Sequence, residues 1–247
     1  MTQFDELGDV YEEFSRHPFR RELEFPSVLD LLGDVSDLRV LDLGCGSGVY
    51  GRALARHGAG QVVGLDESDG MIGYARARES AAPLGVSYLA GSLPAELVGT
   101  FDLVLGVYVL PYATTYDELV GLCGTAAAAL RPGGRFVTLP IHPDVRNSRD
   151  YYERCGFRLH VHEPRRDGSP VELELHPGSG HDIHVTARYW GATTLEKALG
   201  EAGFGPVDWR RHHTGGAPSD VPPGFWEPYL SAPHAAILDT RKESVPS

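Results

Sequence analysis

Three glycines stand at alternate positions in Val40-Leu-Asp-Leu-Gly-Cys-Gly-Ser-Gly48, where an apolar run gives way to the helical spacing of Tyr50, Leu54 and Ala55. A strand turning into a helix over such residues brings bare backbone N–H groups, and the positive end of the helix, against a ligand. Asp66 ends the next apolar run, about 20 residues on, where a carboxylate can accept two adjacent ribose hydroxyls. Together they describe a site for a nucleotide-like cofactor. Proton-accepting side chains belong at the carboxyl ends of later strands, where open α/β sheets bind ligands. Tyr108 and Tyr112 follow the fourth apolar run and His142 follows the fifth. His142 is the first candidate for a base, because an unperturbed imidazole takes up a proton near neutral pH; Tyr112 is the second.

Two cofactors compete for the loop. Gly46-Ser-Gly-Val-Tyr-Gly51 also fits the G-x-G-x-x-G spacing of dinucleotide sites. A pyrophosphate gains from the helix N-terminus and is poorly served by a nearby carboxylate, and Asp42 lies two residues before Gly44. S-adenosylmethionine carries an ammonium and a sulfonium in place of a phosphate, so an acidic residue inside the strand complements it. The balance favours that cofactor, with S-adenosylhomocysteine as its product. An NAD(P)-dependent oxidoreductase is the runner-up, and it lacks a Tyr-x-x-x-Lys or comparable hydride-transfer constellation. A non-catalytic cofactor-binding module is a third reading.

The elements that position these residues alternate. Leu38–Leu43, Gln61–Leu65, Val86–Leu89, Phe101–Leu105 and Arg135–Leu139 read as strands, with helices over Gly70–Glu79 and Thr115–Leu130 and a Pro-Gly-Gly turn at 132–134. Repeated βα units imply a doubly wound, mostly parallel, Rossmann-like sheet of the α/β class. The segment from Asp9 to Leu32 reads as two or three short helices interrupted at Pro18 and Pro26, forming a cap. Phe157–Val161 and Val171–Leu175 alternate strictly about an Arg165–Gly168 turn, which predicts an antiparallel hairpin with one wet face; Asp182–Tyr189 adds a possible third strand. A helix over Thr193–Gly203 capped by Thr193, and strands at Val207–Trp209 and Ala235–Leu238, complete a seven-stranded sheet. The connection holding Pro218, Pro222, Pro223 and Pro228 reads as irregular surface. One domain of 1–247 is expected, divided into a cap (1–36), a cofactor core (37–140), a lid or substrate insertion (141–190) and closing elements (191–247).

Against 22 Lys plus Arg the 247 residues carry 34 Asp plus Glu, a net charge of -12. Such a surface repels a polyanion, and no basic patch is evident beyond Arg165-Arg166 and Arg210-Arg211, so neither nucleic acid nor another macromolecule is the expected partner. Three cysteines without CxxC spacing suggest neither a disulfide framework nor a thiolate zinc site and fit a reducing compartment. The N-terminus lacks a signal-peptide pattern and no apolar run approaches the roughly 20 residues of a membrane span. A soluble cytoplasmic protein is expected.

Val40–Gly48, Gly64-Leu-Asp66 with Met71 following, Phe101-Asp-Leu-Val104 and Leu130-Arg-Pro-Gly-Gly-Arg-Phe136 resemble, in order and spacing, the signature segments of class I S-adenosylmethionine-dependent methyltransferases. The ends resemble, more loosely, bacterial small-molecule members of secondary metabolism, including the toxoflavin-forming type. The resemblance implies that Gly44 and Gly46 line the methionine part of the cofactor and that Asp42 orients its ammonium. It implies further that Asp66, with Glu67 beside it, holds the ribose, and that Met71, Ser92 and Leu93 meet the adenine. Many members have an acidic residue where this chain has Ser92. Val107 would offer its carbonyl to the ammonium, and Tyr11 resembles the aromatic that closes over the cofactor.

In-line methyl transfer asks the protein to align a nucleophile and, for an alcohol or acidic N–H, to remove a proton. The expected acceptor is a small aromatic or heteroaromatic molecule methylated at oxygen or nitrogen, with carbon possible, in natural-product biosynthesis. Tyr108, Tyr151, Tyr152, Tyr189 and Trp190, with His181 in the insertion, would cover a planar ring and gain from stacking. His160 and His162 project from one strand face, with His176, His181 and His184 following; without matching carboxylate or cysteine spacing they are not read as a metal site.

Overall fold

The computed structural model describes residues 7–176, 183–216 and 219–244. The chain opens with α1 (Gly8–Phe14), a π-helical turn Arg20–Glu24 and α2 (Phe25–Leu32). It continues through β1 (Arg39–Leu43), α3 (Val49–Arg56), β2 (Gln61–Asp66), α4 (Asp69–Ala81), β3 (Ser87–Ala90), β4 (Phe101–Val107), α5 (Tyr116–Ala129) and β5 (Leu130–Leu139). Then come β6 (Phe157–Val161), β7 (Pro170–Leu175), β8 (Ile183–Arg188), α6 (Ala192–Glu201), β9 (Asp208–Arg210), α7 (Glu227–Ser231) and β10 (Ile237–Arg241).

Seven strands pair in the order β3-β2-β1-β4-β5-β10-β9, and the first five are parallel. β10 runs antiparallel to both β5 and β9. Strand order reverses between β1 and β4, which opens a crevice at their carboxyl ends. Alternate residues feed two cores: Leu41, Val63, Val104 and Phe136 pack under α5 and α6, while Val40, Val62, Leu103 and Val137 pack under α2, α3 and α4.

Local chemistry sets several of these boundaries. Ser68 caps α4 by accepting the Met71 N–H at 3.2 Å. Thr115 caps α5 by accepting the Glu118 N–H, and the Glu118 carboxylate accepts from Thr114 in return. Thr193 does not cap α6. The helix starts one residue earlier, its N-cap is Gly191, and the Gly191 N–H is held by Asp167 Oδ1 at 2.7 Å.

β6, β7 and β8 form a separate antiparallel sheet in the order β6-β7-β8, so the expected hairpin carries its third strand. One face, with Phe157, Leu159, Val161, Val171 and Val185, joins a third core built with the cap. Two features of that core depart from expectation. Pro26 does not break the cap: the chain is helical from the π turn into α2, and the Glu22 carbonyl that a proline four residues on cannot serve accepts the Gly215 N–H at 2.9 Å instead. The proline-rich connection before β10 is not all surface, because it delivers buried Trp226, Tyr229 and His234. Cap and connection are bound at further points: Ser27 to the His213 backbone, the Glu22 carboxylate to Ser219, Asp220 and Trp226, and Arg21 to Asp220.

Candidate active site

The glycine loop is pinned to the neighbouring strand. The Gly44 and Cys45 N–H groups both donate to the Leu65 carbonyl, at 2.8 and 3.1 Å. Gly44 and Gly46 hold positive φ, +67° and +52°, which a side chain resists. A Cβ on Gly44 would stand 2.9 Å from Val109, whereas one on Gly46 would meet nothing within 4 Å. Gly46 therefore faces open space. Its N–H donates to Asp66 Oδ2 at 2.8 Å, and the Ser68 N–H donates to Asp66 Oδ1 at 2.9 Å. The carboxylate is thereby aimed while both oxygens keep lone pairs for a ligand.

Asp42 is buried beneath the loop. It accepts from the Gly51 N–H, while Oδ2 has no partner among the described residues. Burial lifts its carboxyl to about 7, with Asp66 adding to the rise and Arg52 opposing it. Cys45 is buried, and burial with the nearby Asp42 and Asp66 pushes its thiol well above the ordinary range, so it packs rather than reacts. Met71 is buried at the start of α4, Leu93 and Val107 are half-buried, and Glu67 and Ser92 are exposed.

A second concavity lies beside the carboxyl ends of β4 and β5. A narrow cavity of about 50 Å³, open to solvent on one side, is lined by Tyr11 and Phe14 of α1, Arg20 of the π turn, Tyr108 and Tyr112 after β4, Ile141 after β5, and apolar residues of β6, β7 and β8. Tyr108 has φ +58°, the only non-glycine residue of positive φ among those described; such strain collects at functional sites. Its hydroxyl donates to Glu24 Oε2, and the Tyr50 hydroxyl donates to Oε1 at 2.8 Å. Tyr112 is hydrogen-bonded to Tyr11, whose hydroxyl is raised to about 12 by burial and feels both Arg20 and Asp66. Tyr11 thus brings the cap to the cavity wall. The cap is anchored there because Glu12 pairs with Arg52 of α3 and, at 3.3 Å, with Arg78 of α4.

Of the residues expected to meet the acceptor, Tyr108 and Tyr112 line this cavity, and five described ones do not, among them Tyr151, whose hydroxyl donates to the Pro228 carbonyl at 2.6 Å. His142 is half-buried, accepts the Asp144 N–H on Nδ1 at 3.0 Å, and lies 6.4 Å from the Trp209 ring; burial lowers its basicity. Tyr152 is buried, stacked on Phe157, with its hydroxyl donating to the Ala232 carbonyl at 3.0 Å. Tyr189 donates to the Pro143 carbonyl, and Trp190 is buried against the core under α5 and α6. His181 lies outside the described residues. His162 is exposed and holds Glu172 at 2.8 Å on the wet face of the small sheet. Sequence reasoning missed Arg20, Glu24 and His234. A charged run hid the first two, and an aperiodic proline-rich stretch hid the third.

Residues 40–134 match the model of a family described as a methyltransferase domain. Those residues thus carry a methyltransferase domain. It is similar to the ubiquinone biosynthesis O-methyltransferase of Rhizobium etli (strain CIAT 652), with 40% identity over 118 residues, which are 47% of this chain and 44% of that protein. The chain thus spans less than half the length of that relative. With the N-demethylindolmycin N-methyltransferase of Streptomyces griseus it shares 27% identity over 212 residues, 82% of this chain and 87% of that one. Among solved structures, an S-adenosylmethionine-dependent methyltransferase from Mesorhizobium loti aligns at TM-score 0.58 and 25% identity, covering 93% of this chain and 100% of that one. The CcbJ methyltransferase of Streptomyces caelestis aligns at TM-score 0.65 and 19% identity over 99% of each chain, a likeness of fold.

The methyltransferase domain has residues that fit its cofactor. The open space over Gly46, the aimed carboxylate of Asp66 and the orphaned Oδ2 of buried Asp42 match a ligand with an amino-acid end, a cation and a ribose.

Proposed function

We propose that this chain transfers a methyl group from S-adenosylmethionine to an oxygen or nitrogen, or a carbon, of a small planar aromatic or heteroaromatic molecule in natural-product biosynthesis. The observation that carries the reading is the aromatic cavity beside the carboxyl ends of β4 and β5, with Tyr11 of the cap in its lining. The cofactor, when bound, supplies a methyl on a sulfonium, a good leaving group for in-line displacement. Gly44, Gly46 and Asp42 would hold its amino-acid end and Asp66 its ribose, with Met71, Ser92 and Leu93 near the adenine. Tyr108, Tyr112 and the apolar strands β6 to β8 would orient the acceptor ring and keep water from it.

The Streptomyces relative, whose printed activity is on a nitrogen of a small molecule, supports the assignment because it aligns over most of both chains. The Rhizobium relative, acting on an oxygen, supports the donor half alone. A small-molecule acceptor rather than nucleic acid suits the net charge of -12. The three cysteines are free and buried, which suits the cytoplasm. Among the described residues no helix is long and apolar enough to cross a membrane.

Calorimetric titration of the protein with S-adenosylmethionine and with NADH tests the donor, and methyl transfer to a panel of phenols, amines and azaheterocycles tests the acceptor. Binding of NADH in place of S-adenosylmethionine would overturn the reading. Mass spectrometry of small molecules that copurify with the protein gives an independent check.

A further inference from the structure

Two polar groups line the apolar cavity with no part in the scheme above. Arg20 is 7% exposed and His234 3% exposed. Both lie against the Tyr108 ring, the guanidinium carbon 6.0 Å and the imidazole 5.6 Å from its centre. What each can offer a ligand follows from what its partners have already taken.

The Arg20 Nε sits 2.8 Å from the Glu24 carboxylate. Both Glu24 oxygens also accept a tyrosine hydroxyl, from Tyr50 and Tyr108, which spreads the carboxylate charge. The terminal guanidinium nitrogens donate to no group among the described residues, and neither is sealed from the cavity or solvent. An arginine so placed keeps two donors and a cationic edge.

His234 Nδ1 lies 2.9 Å from the Tyr229 hydroxyl. That hydroxyl is buried, with Tyr229 1% exposed, and His234 is its only hydrogen-bond partner among the described residues. A buried O–H without an acceptor costs about 1–3 kcal/mol, so Tyr229 donates and Nδ1 accepts. Burial, together with Arg20, His212 and His142, holds the ring well below its ordinary value and therefore neutral. The one proton of the neutral ring is then on Nε2. This nitrogen has no partner among the described residues and is not among the enclosed orphan atoms, so it opens on the cavity that His234 lines. The hydroxyls beside it are committed, Tyr108 to Glu24 and Tyr152 to the Ala232 carbonyl. Arg20 and His234 thus both present donors to the cavity.

We propose that Arg20 and His234 form an oxyanion-binding end of the acceptor cavity, which takes an aromatic acceptor through a negatively charged oxygen, phenolate or ring carboxylate, facing the guanidinium and the Nε2–H. The proposal rests on the cavity being the acceptor site. It makes His234 a hydrogen-bond donor to the bound molecule and Arg20 its charge partner.

The test uses 4-nitrophenol, whose phenolate absorbs at a longer wavelength than the phenol, bound to the full-length protein across neutral pH. The expected result is a titration midpoint about one unit lower for the bound than for the free phenol, a tenfold preference for the phenolate. His234→Leu, and the charge-neutral pair Arg20→Met with Glu24→Gln, should each remove most of that shift, while His234→Gln, whose amide can still donate, should retain part of it. A calorimetric arm compares benzoate with benzamide; a benzoate preference without a nitrophenol shift assigns the end to a carboxylate. A midpoint that is unchanged or raised, together with no benzoate preference, overturns the proposal. So does a shift that survives in both folded variants. Should the variants fail to fold, the wild-type midpoint and the benzoate comparison decide alone. S-adenosylmethionine affinity is measured on the same sample, and its absence alongside oxyanion selection would sink the proposed function and leave an oxyanion site that is no acceptor site.

Discussion

Gly46 donates its backbone N–H to the carboxylate of Asp66 at 2.8 Å, joining the tip of the loop after β1 to the end of β2. One acidic side chain therefore does two things, setting the loop and presenting oxygens beside it.

Replacing Asp66 with Ala removes both. S-adenosylmethionine affinity measured by calorimetry should fall about 10- to 100-fold, the equivalent of one or two hydrogen bonds to a charged group. Asp66→Asn should fall in between, since one oxygen remains to accept the Gly46 N–H.

Gly44 and Gly46 should respond differently to alanine. Both pay for a left-handed backbone, about 1–2 kcal/mol, but only Gly44→Ala also drives a Cβ to 2.9 Å from Val109. Gly44→Ala should lower the melting temperature more, with partial recovery in Gly44→Ala/Val109→Ala. Gly46→Ala should spare much of the stability and lose cofactor affinity, because its methyl fills the open space over the loop. Melting curves and calorimetry on the same samples separate the two effects.

Asp42 gives a pH signature. Its folded value, about 7, lies above that of an unfolded aspartate, so the native state holds the extra proton and stability from this group declines as pH rises from about 4 to about 7. Asp42→Asn should be more stable than the parent at pH 8, by at most a few kcal/mol, and the difference should vanish near pH 4. Buried His212, held at about 4, acts in the opposite sense below neutrality in both proteins and cancels in the comparison. Thermal unfolding across that pH range measures the difference.

His142→Ala should leave single-turnover methyl transfer within about threefold of the parent, since its ring does not line the cavity. Loss of a general base would cost at least about 100-fold, and a fall of that size would restore His142 to the site.

The sheet core was legible because each of its strands is a short apolar run closed by glycine or proline chemistry, and the loop because Gly44, Gly46 and Asp66 are local signals at fixed spacing. The acceptor side was harder to read, since its residues meet only through tertiary packing. Arg20-Arg-Glu-Leu-Glu24 has the composition of a solvated face, yet Tyr50 arrives from α3 and Tyr108 from just past β4 to bury Glu24. Position after the fifth strand pointed to His142, whose N–H donates to the His234 carbonyl at 2.8 Å. The spatial address was nearly right, but the residue that reaches the cavity comes from a segment some ninety positions further on. Pro26 misled for a related reason, as the carbonyl it leaves unserved finds its donor on Gly215.

That carbonyl, with Ser27, Glu22 and Arg21, sews the N-terminal helices to the stretch between His213 and Trp226. The cap cannot swing like a door on the short link before β1. Any traffic past it must carry that later stretch along, so the threshold of the cavity is a single flap woven from two segments far apart in sequence.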